Sequence, residues 1–148
     1  PEHNAGMAVV PQILTNRAED FLAIAEILRE YGYDTVNLNL GCPSGTVAAR
    51  GRGAGFLAMP DELDHFLEEI FEKCPLRISI KTRIGKENPE EWERLLAIYE
   101  KYPLEGSIWR HLHWQRKTAD IRSAIMVTLW TQRPRRTSGR AFRRWISS

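Results

Sequence analysis

Hydrophobic positions in the first hundred residues alternate between short apolar runs and stretches with helical spacing. The runs Val9–Leu14, Thr35–Asn39 and Arg77–Lys81 are short and rich in β-branched residues, which predicts three strands. Apolar residues then recur every three or four positions, which predicts three helices. The helical positions are Phe21, Ile24, Ala25, Leu28 and Tyr31, then Leu63, Phe66, Leu67, Ile70 and Phe71, then Trp92, Leu95, Leu96 and Tyr99.

Residues with known preferences for helix ends support the three helices. Asn16 followed by Glu19 predicts a capping box, and Gly32 predicts the end of the first helix. Pro60 suits a first helical turn, and the segment 88–91 predicts the start of the third helix. The resulting order βαβαβα has crossovers long enough for parallel strands. It predicts an α/β fold, either part of a (β/α)₈ barrel or a doubly wound sheet.

The distribution of charge divides the chain near residue 106. Residues 1–106 hold 11 Lys and Arg against 18 Asp and Glu, whereas residues 107–148 hold 10 against one, Asp120. Four of the five tryptophans also lie after residue 106. This break predicts a folded domain over 1–106 and an irregular, basic tail rich in Trp and Arg over 107–148.

Composition also limits the class of protein. The chain has two cysteines, no apolar run near 18 residues and no signal-peptide pattern, so we expect a soluble protein of the reducing cytoplasm, without membrane or metal. Its first residue is Pro1, from which we expect that the N-terminus is not the natural one.

Each predicted strand ends in polar side chains, and in a parallel sheet such ends lie on one rim. They are Gln12, Asn39 and Lys81, with Cys42 on a turn between Gly41 and Pro43. Amides, a thiol and a cation on one rim would suit a polar cofactor with a ring and a phosphate. Taken singly, polar strand ends are usually solvated, and a cysteine is usually a small buried residue. The flanking glycine and proline favour a presented thiol at Cys42, whereas Cys74 is interpreted as structural.

These residues resemble the tRNA-dihydrouridine synthase family. The matching segments are Val10-Pro11-Gln12-Ile13, Val36-Asn37-Leu38-Asn39-Leu40-Gly41-Cys42-Pro43, Gly51-Arg52-Gly53-Ala54-Gly55-Phe56-Leu57 and Ile80-Lys81-Thr82-Arg83-Ile84-Gly85. Their order and spacing agree over about residues 8–105. Asn-x-Gly-Cys-Pro followed by Gly-Ala-Gly is the most specific part of the match.

The resemblance implies a flavin mononucleotide (FMN) enzyme on a (β/α)₈ TIM barrel, which reduces the 5,6 double bond of uridines in tRNA with NADPH as reductant. The reduced flavin would give hydride from N5 to uracil C6, and Cys42 would protonate C5. A thiol is ordinarily protonated at neutral pH, as such an acid must be. Gln12 and Lys81 would hydrogen-bond the isoalloxazine, and Asn39 would position the uracil or flavin edge. Arg50 and Arg52, on a loop expected to be mobile, are candidate contacts to RNA phosphates, or else a solvated pair.

The family pattern stops after Glu105, and the family's first strand is absent before Val9. We therefore expect a partial TIM barrel of about three βα units, with two unpaired sheet edges and weak or no flavin binding. The tail has two interpretations. In the first, it is a nucleic-acid-binding segment, because tryptophans are interspersed among its arginines: Arg133, Arg135, Arg136, Arg140, Arg143 and Arg144 with Trp130 and Trp145. In the second, which its composition favours, it is disordered or translated past a frameshift.

Two other functions stay open from the residues. One is a different FMN-dependent TIM-barrel oxidoreductase similar to dihydroorotate dehydrogenase, which also places Asn, Lys and Cys at strand ends. The other is a non-enzymatic RNA-binding polypeptide that acts through its basic tail.

Overall fold

Three βα units follow one another in the computed structural model, which describes Met7 and residues 9–88, 90–106 and 126–131. Their elements are β1 (Gln12–Ile13), α1 (Ala18–Glu30), β2 (Thr35–Leu40), α2 (Gly45–Ala48), a 3₁₀ helix (Gly53–Ala58), α3 (Pro60–Lys73), β3 (Arg77–Arg83) and α4 (Glu91–Tyr99). Two more strands are β4 (Leu104–Gly106) and β5 (Met126–Thr131). The predicted alternation is confirmed in order.

The first three strands form a parallel sheet in the order β1-β2-β3. Gln12 lies opposite Asn37 across β1 and β2, and Asn39 lies opposite Lys81 across β2 and β3. Helices α1 and α3 make the two crossovers, as parallel neighbours require. The α/β class and the parallel pairing are therefore confirmed, and a closed barrel stays a prediction.

The two faces of this sheet differ in polarity because strand side chains alternate. The apolar even-numbered positions of β2 and β3 are buried with the helices in one cluster, whose largest members include Leu38, Leu40, Ile78, Ile80, Phe21, Leu63 and Leu67. Odd-numbered positions carry Asn37, Asn39, Ser79 and Lys81. The core therefore lies on the helix side, and the polar side chains share the opposite face.

Aromatic rings connect the 3₁₀ helix to this core. The ring of Phe66 in α3 packs edge-on against Phe21 of α1, with centroids 6.2 Å apart, and against Phe56, at 5.3 Å. Phe56 and Leu57 are buried. The glycine-rich segment after β2 is thereby held against the helices.

The start of α1 differs from its prediction, whereas α4 begins at Glu91, inside the predicted segment 88–91. The capping box of Asn16 and Glu19 is wrong, because α1 begins at Ala18 after Arg17, which makes no side-chain cap. The Thr15 hydroxyl accepts from the Arg17 amide at 3.1 Å instead, and Asn16 donates to the Arg50 carbonyl at 3.2 Å. Ahead of α4, the Glu91 carboxylate accepts backbone N–H groups of residues 86–88.

Strand β5 changes the expected edge of the sheet. The strand order is β1-β2-β3-β5-β4, and β5 is antiparallel to both β3 and β4. The edge of β3, expected to be unpaired, is therefore paired, and β4 lies one strand away from it rather than next to it as in a barrel. Residues 107–125 and 132–148, with most of the predicted basic tail, lie outside the described residues, and the boundary at residue 106 stays a prediction.

Asp64 of α3 joins this helix to the segment that follows α4. Lys101 donates to its Oδ2, and the Tyr102 hydroxyl lies 2.9 Å from Oδ1 and 2.8 Å from the Asp64 carbonyl oxygen. Tyr102 also stacks on Phe71 of α3, with ring centroids 4.9 Å apart. The hydrogen bond from Lys101 is the main cause that holds the pKa of Asp64 below its ordinary value.

We predict that this carboxylate makes stability fall in acid. Because its folded-state pKa is lowered, its contribution is present above the ordinary aspartate pKa and is lost as the pH falls through the folded-state value. Asp64→Asn should cost about 1 kcal/mol at neutral pH and weaken the acid dependence of the melting temperature.

Asp61→Asn is the matched control on the same helix. Its ion pair with Arg94 is 2.8 Å long, but its side chain is 89% exposed against 30% for Asp64, so it should change stability little. Equal acid dependence in both variants and the unsubstituted chain would contradict the prediction.

Candidate active site

The predicted site residues of the three parallel strands lie together on the polar face of the sheet. Gln12 is exposed, and Asn39 and Lys81 are half-buried. The Asn39 side-chain amide donates to Gln12 Oε1 at 2.7 Å. Since Asn39 is opposite Lys81 in the register, strands β1 to β3 each contribute one predicted residue to the same patch.

The hydrogen bond between Asn39 and Gln12 continues into the sheet through two further polar residues, which are not among the predicted site residues. Gln12 Nε2 donates to Asn37 Oδ1 at 2.6 Å, and Asn37 Nδ2 donates to Ser79 Oγ at 2.8 Å. The Ser79 hydroxyl in turn donates to the Val36 carbonyl at 3.3 Å. Period two could have found them, since Asn37 lies two residues before Asn39 and Ser79 two before Lys81.

The turn that carries Cys42 is held by the strand that precedes it. Asn39 Oδ1 accepts the backbone N–H groups of Gly41 and Cys42, each at 3.0 Å. Such a side-chain bond to the backbone two or three residues on is what asparagine contributes to turns. Asn39 therefore contacts Gln12 with its NH₂ group and holds the Cys42 turn with its carbonyl oxygen. Cys42 is half-buried at the end of β2.

Two glycines let the backbone pack directly against this turn. The Ala54 amide donates to the Cys42 carbonyl at 3.0 Å. Gly53 has φ +56°, and a Cβ there would lie 2.8 Å from that carbonyl oxygen. A Cβ on Gly55 would lie 2.3 Å from the Ala48 carbonyl oxygen. Only glycine fits such close approaches of backbone to backbone.

The segment from Ser44 to Gly55, predicted as a loop, contains regular structure, and whether it is mobile stays a prediction. It contains α2 and the start of the 3₁₀ helix, and residues 53–57 are buried. The reason is that the glycines allow close packing, while the apolar residues that follow them are buried among the helices. Glycine content alone does not separate these two uses.

The basic residues near the site differ from those elsewhere in their partners. Among the described residues, the Lys and Arg side chains with no carboxylate oxygen within 4.0 Å are Arg50, Arg52, Lys81 and Arg83. All four lie in β3 or in the segment after β2. Arg50 is exposed, and Arg52 Nε donates to Asn16 Oδ1 at 3.4 Å. Positive charge without a carboxylate partner among the described residues is therefore concentrated beside the predicted site.

Within the described ranges, no group of three or more His, Cys, Asp or Glu side chains is placed to bind a metal ion. None of the helices described is long and apolar enough to cross a lipid bilayer.

Comparison with known proteins identifies similar sequences. The family model "Dihydrouridine synthase (Dus)" matches residues 1–124, and so extends into the segment after residue 106. A probable tRNA-dihydrouridine synthase of Staphylococcus aureus is 31% identical over 114 residues, which is 76% of this chain and 34% of that protein.

Two further relatives have names that specify a tRNA position. The tRNA-dihydrouridine(20/20a) synthase of Synechocystis is 33% identical over 76 residues, which is 51% of this chain and 23% of that protein. The enzyme of the same name from Vibrio parahaemolyticus is 33% identical over 84 residues, which is 57% of this chain and 26% of that protein. The chain spans about a third of the length of the first of these curated relatives.

We predict that Gly53→Ala disturbs the Cys42 turn. Gly53 has a left-handed backbone conformation that alanine rarely adopts, and the added Cβ would clash with the Cys42 carbonyl oxygen. The free energy of unfolding should therefore fall by about 1–3 kcal/mol. The alkylation rate of Cys42 by iodoacetamide should change relative to that of Cys74, when both are measured by mass spectrometry.

Gly45→Ala is the matched control. A Cβ at Gly45 meets nothing within 4 Å, so this variant should be neutral or more stable by about 0.5 kcal/mol. Equal effects of the two substitutions would contradict the packing argument.

Proposed function

The chain belongs to the dihydrouridine synthase family, and on that premise we propose that it carries the proton-donating part of an active site that reduces uridine in tRNA. The observation that carries the proposal is the double role of Asn39. Its amide holds the Cys42 turn and at the same time hydrogen-bonds Gln12 on the neighbouring strand. A potential proton donor and a potential ring-binding amide are thereby fixed relative to each other.

The donor set at this patch fits the ring of FMN. A flavin presents carbonyl and N–H groups along its pyrimidine edge, and side-chain amides and an ammonium group can pair with both kinds of group. Gln12 and Lys81 are the residues we propose to bind the ring, and Asn39 would position the edge of the ring or of the base. When bound, FMN reduced by NADPH would supply the hydride of the reaction.

We assign to Cys42 the proton that the reduction requires. Reduction of the 5,6 double bond adds one hydride and one proton, so a general acid must lie beside the base. Cys42 is half-buried at the carboxyl end of a parallel strand, where α/β proteins place reactive groups. After it gives the proton to C5, the thiolate would regain one from water.

The cations without a carboxylate partner among the described residues support tRNA as the substrate. A tRNA phosphate would find positive charge at Arg50 and Arg52 without having to displace an acidic partner, since no described carboxylate lies within 4.0 Å of either. The target base must also leave its stack to reach a protein side chain. The names of the relatives indicate the same substrate class.

We predict that Cys42→Ala removes the proton donor and lowers the rate of dihydrouridine formation by about 10²-fold or more. The measurement is mass spectrometry of a transcribed tRNA after incubation with the chain, FMN and NADPH. Cys74→Ala is the control, since Cys74 ends α3 and burial raises its pKa. The proposal would be contradicted if the Cys42→Ala variant reduced tRNA uridine as fast as the unsubstituted chain does. It would also be contradicted if the unsubstituted chain turned over dihydroorotate but not tRNA.

We also predict that Arg50→Gln and Arg52→Gln each weaken tRNA binding. Each lost phosphate contact should lower the slope of log affinity against log salt by about 0.7–0.9. The control is Arg29→Gln on α1, because Arg29 is already paired with Glu26 at 2.8 Å. The measurement is a tRNA titration at several salt concentrations. If Arg50→Gln and Arg52→Gln showed the same slope as the control Arg29→Gln, contact of Arg50 and Arg52 with tRNA phosphates would be excluded.

A further inference from the structure

We propose that Ser79 and Asn37 are positioning residues that set the orientation of the Gln12 amide, and with it the pairing of Gln12 to Asn39. The hydrogen bonds between these side chains follow from distances in the structure and do not depend on the proposed function. The consequence for a bound flavin ring rests on the proposed function.

The four side chains form one continuous relay across strands β1, β2 and β3. It runs from Ser79 to Asn37 at 2.8 Å, from Asn37 to Gln12 at 2.6 Å and from Gln12 to Asn39 at 2.7 Å. Ser79 is 0% exposed and Asn37 7%, so water cannot substitute freely for either partner. Of the four side chains, only that of Gln12 is exposed.

The direction of every bond in the relay is determined by backbone groups at its two ends. The Val36 carbonyl can only accept, so the Ser79 hydroxyl donates to it and accepts from the Asn37 NH₂ group. At the other end, the N–H groups of Gly41 and Cys42 can only donate, so Asn39 presents its oxygen to them and its NH₂ group to Gln12. Both ends demand the same orientation of Gln12, with Nε2 towards Asn37 and Oε1 towards Asn39.

A reversed Gln12 amide would lose both of its bonds. Its oxygen would face Asn37 Oδ1, and its NH₂ group would face the NH₂ group of Asn39. Gln12 therefore offers a ligand one remaining N–H and one remaining oxygen lone pair in a single arrangement. That pair complements an adjacent carbonyl and N–H group, the pattern on the pyrimidine edge of a flavin.

A purely structural role would not require polar side chains at these positions. Apolar residues at positions 37 and 79 would avoid the cost of burying an amide and a hydroxyl. Polar groups at positions 37 and 79 are satisfied only as members of the relay, and the relay acts on Gln12.

A double-mutant cycle on the flavin dissociation constant tests the proposal. Asn37→Leu should raise this constant about tenfold in the otherwise unsubstituted chain, but not further in the Gln12→Ala background, because Asn37 acts only through Gln12. Ser44→Ala, at an exposed serine outside the relay, is the control and should leave the constant near that of the unsubstituted chain. Additive effects of Asn37→Leu and Gln12→Ala would overturn the proposal.

A second measurement needs no flavin and separates this proposal from the proposed function. Side-chain amide resonances of the ¹⁵N-labelled full chain should show the Gln12 NH₂ pair away from the position of a solvated glutamine. Ser79→Ala should move that pair towards the solvated position, although Ser79 has no hydrogen bond to Gln12, whereas Ser44→Ala, at an exposed serine outside the relay, should leave it in place. A Gln12 pair at the solvated position in the unsubstituted chain, or unmoved by Ser79→Ala, would overturn the relay. Failure of the chain to bind FMN, with these shifts observed, would count against the proposed function alone.

Discussion

The two-residue alternation of strand β2 is the constraint on which the rest of the structure depends. Val36, Leu38 and Leu40 are fully buried on the helix side, which leaves Asn37 and Asn39 on the other face. A slip of one residue would move three apolar side chains to the polar face, at about 2 kcal/mol each, and bury two amides in the core. The same packing that stabilises the sheet therefore fixes which residues can meet at the candidate site.

The candidate site is built mainly from contacts between neighbouring strands and the turn that follows them. Asn39 holds Cys42 from the strand side, and the amide of Ala54 holds it from the other side. Gly53 and Gly55 allow that second approach. The position of the Cys42 turn is thus fixed by two separate segments of sequence, strand β2 and residues 53–55.

The sequence predicted the order of the elements and the members of the site better than their contacts. Helical spacing and strand composition depend on nearby residues, which is why all three βα units could be found. Asn16 was misread as a helix cap because its partners, Arg50 and Arg52, lie more than 30 residues away. The two-residue alternation places Asn37 and Ser79 on the polar face, but the hydrogen bonds of the relay join residues on different strands, which a local pattern does not pair. The glycines after β2 suggested mobility, although they are needed for close packing.

The sequence separations of the strand pairs have a consequence for the order in which the molecule assembles. Paired residues are 25 positions apart across β1 and β2 and 23–27 apart across β4 and β5, but 42 apart across β2 and β3 and 43–51 apart across β3 and β5. Closing a shorter loop costs less entropy, and contacts closer in sequence form faster. Strand β3, which carries Ser79 and Lys81, is therefore favoured to be the last to join its neighbours.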